Sequence, residues 1–321
     1  MTARPLFRLH KGISTMAMPT LLDIATLNNT DREVGLIEEA VPAVPELKYV
    51  PARTIMGLNF YTQVRVALPT VAFRNANEGS DPVKSNYQRR LVECYIVNPP
   101  IRVDKAVADA YEDGPEAFLA MEALGVTKGA FVTLGKQFYY GAGTGGDAKG
   151  HPGLLQAYDS TNMVVDGGGT TDNTASSVWA VAFGPDKLTW VLGNNGEIAV
   201  GDPIVQQITD SNGKVLDAYC QSLLCRPGLQ VSTVNAIARL KKLTEDSGKG
   251  CDDDKLADLI SKFPVGIMPD AIFMTRRSLK QLQQSRTATN QTGAPAPRPT
   301  EYEGIPIYPT DSILNTEALT L

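Results

Sequence analysis

Residues 73–105 read FRNANEGSDPVKSNYQRRLVECYIVNPPIRVDK, a long polar segment followed by a strand pattern. Strand patterns lie on both sides of its polar tip, at Leu58–Leu68 and Tyr87–Val97, so the sequence predicts a long two-stranded ribbon. An isolated ribbon is marginal in water, and its edges invite pairing with other chains. Either a distant part of this chain or a neighbouring copy must therefore cover it. The mixed faces and the charged tip favour the neighbour.

Composition excludes several classes of protein. The chain has 321 residues, 43% of them hydrophobic and 20% charged, so it is long and apolar enough to bury a core. A net charge of −5 argues against a protein whose main task is to grip nucleic acid. Four scattered cysteines, interpreted as buried thiols, and two histidines predict neither a disulfide framework nor a metal site.

Motifs for catalysis are weak. The glycines of GAGTGG, residues 141–146, match the spacing of a dinucleotide fingerprint, but a helix pattern precedes them and a loop follows, which is the wrong context. His151 lies in the turn GHPG and is predicted to be a surface histidine. No cofactor, metal or catalytic residue is therefore predicted. An enzyme built on Val178–Tyr308 is kept as an alternative.

A second long element follows the ribbon. Pro115 suits the first turn of a helix and Gly141 suits its C-terminal cap, so the spacing predicts one helix of about 26 residues. Gly125, Gly129 and Gly135 would weaken this helix, which indicates close packing against another backbone. Mixed strand and helix patterns then continue to the last strand, so the predicted class is α+β. No segment predicts a membrane span or a secretion signal.

One charge pattern stands out near the C-terminus. Basic residues occur there with no acidic residue between them, at Arg276, Arg277, Lys280, Arg286 and Arg298. We call this set the basic strip. A solvated helix and loop is slightly favoured as its explanation, and contact with phosphates or with an acidic partner is the alternative.

The order of these features resembles the major capsid proteins of tailed double-stranded-DNA bacteriophages, which share the Hong Kong 97 fold. The segment NANEGSDPVKSNYQRRLVECYIVNPPIRVDKAVADAY is similar to the extended loop of that family. EALGVTKGAFVTLGKQFYYGAG is similar to its spine helix. GLQVSTVNAIARLKKL and TEYEGIPIYPTDSI are similar to segments of coat proteins from short-tailed phages.

The resemblance implies a division of the chain. An N-terminal arm would span residues 1–51, the extended β-hairpin loop 52–104, and the peripheral domain with its spine helix 105–150. Residues 151–321 would form the axial domain, with returning peripheral-domain strands at about 200–244. One departure is that the module Ile272–Tyr308 follows Val178–Leu240 rather than preceding it, which suggests a permuted order within the same architecture.

The resemblance also implies a structural function. The chain would assemble as pentamers and hexamers into the virion capsid, after synthesis in the host cytoplasm, with scaffolding, portal and decoration proteins as further partners. The resemblance also implies non-specific contact with packaged DNA and no contact with a membrane. A cellular encapsulating shell of the same fold is a further alternative. Contacts between subunits are expected at charged residues of the loop, namely Arg74, Glu78, Lys84, Arg89 and Arg90.

Overall fold

A computed structural model describes residues 18–28, 42–209, 212–289 and 294–321. The helix pattern predicted over residues 20–41 therefore lies partly outside the described residues. The described helices are α1 Leu21–Asn28, α2 Glu46–Tyr49, α3 Lys105–Ala108, α4 Pro115–Tyr140, α5 Leu154–Ala157, α6 Asp253–Ser261 and α7 Arg276–Thr289.

Most strands are short, and the two strands of the ribbon are among the longest. They are β1 Ala52–Thr54, β2 Asn59–Ala67, β3 Asn86–Glu93, β4 Pro100–Asp104, β5 Val164–Asp166, β6 Ser176–Val181, β7 Leu188–Leu192, β8 Ala199–Val200, β9 Ile204–Thr209, β10 Val215–Leu224, β11 Pro227–Val231, β12 Ile237–Leu243, β13 Ala271–Met274, β14 Glu301–Tyr302 and β15 Ile305–Pro309.

The chain forms two compact units. The first contains Pro100–Val126 and Val200–Ser222 together with the start of the chain. In it, β10 pairs antiparallel with β4 and β9, and a small core includes Ile24, Val103 and Phe118. Asp104 caps α3 by accepting from the backbone N–H of Ala106 at 2.9 Å.

The second unit is built on a six-stranded mixed sheet in the order β14-β15-β13-β6-β12-β5. Strand β6 is buried along its whole length, because alternate residues enter two different cores. Trp179 and Val181 pack with the C-terminal end of α4, whereas Val178 and Ala180 pack with α6 and α7. A three-stranded sheet, β1-β7-β11, completes this unit.

Helix α4 has the bounds that the sequence predicts, and it ends as expected at Gly141, whose φ is +53°. A side chain at Gly141 would place its Cβ 2.2 Å from the backbone nitrogen of Gly153, so the following loop folds back tightly. Gln137 fastens that loop, because its Nε2 donates to the carbonyl of His151 at 2.7 Å. This packed backbone leaves the GAGTGG glycines in the wrong context for a dinucleotide.

Three sequence predictions are corrected. His151 is not at the surface: it is 1% exposed, packs edge-on to Trp190 at 5.4 Å between ring centroids, and burial lowers its pKa. Among the cysteines only Cys251 is buried, and the other three are partly exposed. No membrane span is predicted from the sequence, but helix α4 is, by length and composition alone, apolar enough to cross a membrane. Of its apolar 18-residue stretch, 17% is buried in the structure. A single such helix is weak evidence for a span.

Candidate assembly surface

The ribbon exists as predicted. Among the described strands β2 and β3 form a separate two-stranded sheet, in antiparallel register from Asn59 opposite Glu93 to Ala67 opposite Asn86. At about 3.4 Å per residue the nine residues of β2 extend for roughly 30 Å. Cross-strand pairs stabilise it: Arg65 Nη2 donates to the Tyr87 hydroxyl at 3.3 Å and lowers the pKa of that tyrosine.

The base of the ribbon is fastened to the rest of the second unit. The backbone N–H of Tyr95 donates to Pro227 O at 2.8 Å, and that of Cys94 closes the ribbon itself by donating to Leu58 O at 2.8 Å. Arg53 lies over the ring of Phe60, with 4.2 Å between the guanidinium carbon and the ring centroid. Because these contacts all lie near the base, they orient the ribbon without covering its outer part.

The tip between the strands, residues 68–85, contains no regular secondary structure. Glu78 organises it, since its carboxylate accepts from the backbone N–H and from the side-chain amide of Asn75, at 3.3 and 3.1 Å. Arg74 donates to the carbonyl of Glu78 at 2.6 Å. Asn77 has a φ of +66°, which is a turn conformation that asparagine tolerates. The tip is thus a structured turn held by its own side chains.

The other charged residues expected at subunit contacts lie on the ribbon, and two of them have partners within the chain. Arg89 stacks on Tyr61, at 3.6 Å between the guanidinium carbon and the ring centroid. Arg90 donates to the carbonyl of Ser232 at 3.2 Å, which also fastens the ribbon. Lys84 is exposed on the tip.

The outer part of the ribbon exposes large apolar side chains. Phe73 is fully exposed, Val71 is 76% exposed and Leu68 is 73% exposed. Exposed apolar residues on the paired strands extend this surface: Tyr61, Val66, Tyr87 and Leu91. Several large apolar side chains exposed on one ribbon indicate an interaction site. We use the name ribbon surface for these seven exposed side chains: Tyr61, Val66, Leu68, Val71, Phe73, Tyr87 and Leu91.

Sequence reasoning missed the apolar part of this surface. It treated the tip as polar and placed the contacts on charged residues, although the stretch VALPTVAF, residues 66–73, is mostly apolar. The signal was Pro69, which cannot donate to a strand ladder and therefore ends β2. Apolar residues beyond the end of a strand have no sheet face to join, so they are left in solvent.

The structure separates the members of the basic strip. Arg286 makes a bidentate ion pair with Asp253, with an Nη2 to Oδ1 distance of 2.7 Å and Nε to Oδ2 of 2.9 Å. Arg277 donates to the carbonyls of Leu243 and Asn315 at 3.1 and 3.3 Å. The remaining three, Arg276, Lys280 and Arg298, are exposed.

Arg277 and Lys280 line an open cavity of about 450 Å³ between α7 and the loop before α6. Glu245, Asp246 and Asp252 line the same cavity, so its charge is mixed rather than basic. No group of three or more histidine, cysteine or acidic side chains suited to a metal ion occurs in the part of the chain that the structure describes.

The architecture of a long ribbon, a 26-residue helix and a mixed sheet recurs in solved capsid structures. The chain is similar to a chain of bacteriophage Epsilon15, with a TM-score of 0.73 and 22% identity over 96% of this chain and 98% of that one. It is also similar to the bacteriophage JBD30 capsid, with a TM-score of 0.50 and 11% identity over 92% and 99%. The fold is therefore that of the Hong Kong 97 class of shell-forming proteins.

The sequence identifies the family. A family model described as major capsid protein GP7 matches residues 55–320, and the chain belongs to that family. It is a major capsid protein of the tailed-phage type and forms the capsid of the virion. No curated protein sequence matches the chain. An encapsulin complex from Synechococcus elongatus is less similar, with a TM-score of 0.42 and 12% identity over 70% of this chain and 95% of that one.

Proposed function

We propose that this capsid protein assembles as pentamers and hexamers into an icosahedral head around packaged double-stranded DNA, with the ribbon of each subunit lying against a neighbouring copy. The ribbon surface supports the proposal, because its seven side chains remain 46% exposed or more within the described chain. Burial of a Phe, Leu or Val side chain contributes roughly 1.5–3 kcal/mol, so several together supply a useful contact.

The mechanism is distributed burial. A closed shell repeats each interface many times, so contacts that are individually moderate hold the assembly together and still allow correction while it forms. The chain does no chemistry in this proposal. Its work is to present complementary surfaces at fixed angles.

Charged residues play secondary parts. Arg74, Glu78 and Lys84 lie on the tip, where a neighbour would meet them, and Arg89 and Arg90 would act mainly by shaping the ribbon. Arg276, Lys280 and Arg298 are the members of the basic strip best placed for phosphates or an acidic partner, since Arg277 and Arg286 already have partners in the chain. Scaffolding, portal and decoration proteins are proposed as further partners.

Assembly is tested first by negative-stain electron microscopy and sedimentation of the purified full-length chain. Closed shells of uniform size are the expected result, with scaffold added if the chain alone stays small. A chain that remains a monomer or dimer under all assembly conditions would overturn the proposal.

The role of the ribbon is tested by deleting Asn75–Asn86 and closing the hairpin with a short turn. We expect a folded, soluble subunit that forms no shells, because the shortened tip no longer reaches a neighbour while the three cores are intact. The matched control replaces the same residues by a Gly/Ser segment of equal length, which separates the reach of the ribbon from the side chains of residues 75–86. Normal shells from the deletion would rule out a role for this part of the tip.

A further inference from the structure

A carboxylate is completely buried within residues 42–50, a segment of the second unit. Glu46 is the first residue of α2, and it is 0% exposed. Burying a charged carboxylate is costly unless a cation or several hydrogen-bond donors compensate it. The surroundings of Glu46 therefore determine how firmly this segment is held.

The hydrogen bonds to this carboxylate are few. Thr310 Oγ1 lies 3.1 Å from Oε2 and 3.4 Å from Oε1 of Glu46, and this hydroxyl has a single proton to donate. The buried hydroxyl of Ser312 lies near the same carboxylate and acts to lower its pKa, but its Oγ forms no hydrogen bond of ordinary geometry. Two backbone contacts brace the site: Ala43 N donates to Asp311 Oδ2 at 2.7 Å, and Asp311 N donates to Ala43 O at 3.1 Å.

The charged and titratable groups around Glu46 do not neutralise it. On the C-terminal side Asp311 adds a like charge, and on α4 the buried Tyr139 faces the carboxylate. On α2 itself, Lys48 is exposed and lies over the ring of Tyr49. No ion pair of Glu46 occurs among the residues that the structure describes.

Helix α4 and Trp190 pack closely around Glu46. A Cβ built on Gly135 of α4 would come within 2.7 Å of Glu46 Oε1, so α4 lies directly against the carboxylate. On another side, Trp190 Nε1 donates to the carbonyl of Glu46 at 3.3 Å. Burial is accordingly the main cause that raises the pKa of Glu46 from 4.5 to about 6.

We propose that Glu46 is a pH-dependent latch: its protonated carboxyl holds residues 42–50 against α4 and residues 310–312, and ionisation of the carboxyl loosens that contact. The latch holds the chain directly after residues 1–41. Its protonation state therefore sets how firmly residues 42–50 are docked. Anchoring is strongest in acid and weakest above neutral pH.

The direction follows from linkage. When residues 42–50 are released, Glu46 is exposed to water and titrates at its ordinary pKa; when they are docked, it titrates at the raised pKa. At a pH below both pKa values the carboxyl is neutral in either state, so docking does not bury a charge. As pH rises through the two values, the released state loses its proton first, and the docked state becomes less favourable.

Hydrogen exchange of residues 42–50 in unassembled full-length subunits tests the latch. After correction for intrinsic exchange rates, the opening constant of the wild-type segment should increase about 15-fold from about pH 4.5 to about pH 8. Glu46→Gln, which mimics the neutral carboxyl, should change less than about 2-fold over the same range. Glu301→Gln, at an exposed carboxyl of β14, is the matched control and should behave as the wild type does.

Two outcomes overturn the proposal. One is an equal pH response in wild type and Glu46→Gln, which would assign the effect to other groups. The other, available even if the variant fails to fold, is a wild-type opening constant that is flat with pH. Thr310→Val is a second variant: removing its hydroxyl should raise the midpoint of the transition above that of the wild type.

Discussion

A single buried ion pair links the last residues of the chain to the central sheet. Arg239 of β12 and Glu317 are 1% and 2% exposed, and Arg239 Nη2 lies 3.1 Å from Glu317 Oε2. Tyr140 and Ser177 also donate hydroxyl hydrogen bonds to this carboxylate, at 2.6 and 2.5 Å. Since both charges are desolvated, each depends on the other.

Removing one member of the pair should therefore destabilise the subunit strongly. We expect Glu317→Ala to lower the free energy of unfolding by about 3–5 kcal/mol, because Arg239 remains buried and charged. The apolar double variant Arg239→Met/Glu317→Leu should lose much less. Urea unfolding of unassembled subunits measures both.

The control for this comparison is Glu301→Ala, whose exposed carboxyl should change stability by no more than about 0.5 kcal/mol. A double variant as unstable as Glu317→Ala would contradict the account given for the pair. Sequence reasoning did not find this pair, because its members are 78 residues apart and neither belongs to a recognisable motif. Long-range partners of this kind become visible only once the sheet has been built.

At the scale of elements, helix α4 was predicted at both ends because proline and glycine act there through local backbone geometry. Its interior glycines behave differently from one another. Gly135 is packed, with a hypothetical Cβ only 2.3 Å from Ser312 Oγ, whereas Gly129 has no atom within 4 Å of that position. The expectation of close packing therefore holds at Gly135, and the described residues do not meet it at Gly129.

These two glycines form a matched pair for mutation. Gly135→Ala should destabilise the subunit by about 1–3 kcal/mol, because buried side chains must move to admit the methyl group. Gly129→Ala should stabilise the isolated subunit by up to about 1 kcal/mol, since alanine is the better helix former and the space is open. Thermal unfolding of both variants and of the wild type measures these two changes in stability.

The same pair probes assembly. If the backbone of a neighbouring subunit packs against α4 at Gly129, the Gly129→Ala variant will form shells poorly although its isolated subunit is more stable. Normal shells from a stabilised Gly129→Ala variant would mean that no such close approach occurs there. Equal stability of the two variants would instead show that Gly135 tolerates a side chain.

Prediction from sequence was good where a pattern is local and poor where it is not. The alternation in Leu58–Leu68 fixed the ribbon, since a period of two has one structural meaning. The stretch 228–240 was ambiguous, because β11 and β12 are separated by a single 3-10 turn at Val234–Ala236 that Thr233 caps. Buried strands with apolar residues on both faces, such as β6, carry no periodic signal that orders them in a sheet.

For the whole molecule, the two cores on the faces of the central sheet should unfold together, and Cys251 offers a probe of that event. This thiol is 2% exposed, and burial raises its pKa to about 12. Thiolate is the reactive form of cysteine. We expect a thiol reagent to modify Cys251 only when the core around it opens, in a phase slower than that of any exposed cysteine.

Stopped-flow or manual thiol titration of the native subunit measures this rate. Cys251→Ser should remove the slow phase, and Glu317→Ala should accelerate it by destabilising the same unit. Rapid modification of all four thiols in the native protein would show that the core is not closed. Cys220, which is partly exposed, can be replaced by serine as the matched control.

The tip of the ribbon has a consequence for how the protein is followed in time. Arg74 and Lys84 are exposed to solvent on its irregular backbone, and exposed loop tips of this kind are preferred sites of proteolysis. A free subunit should thus be nicked by trypsin at the tip, while a subunit whose ribbon lies under a neighbour is protected. The fraction of chain left intact by a short trypsin pulse, measured on a gel at successive times, would then report the progress of shell assembly without any label.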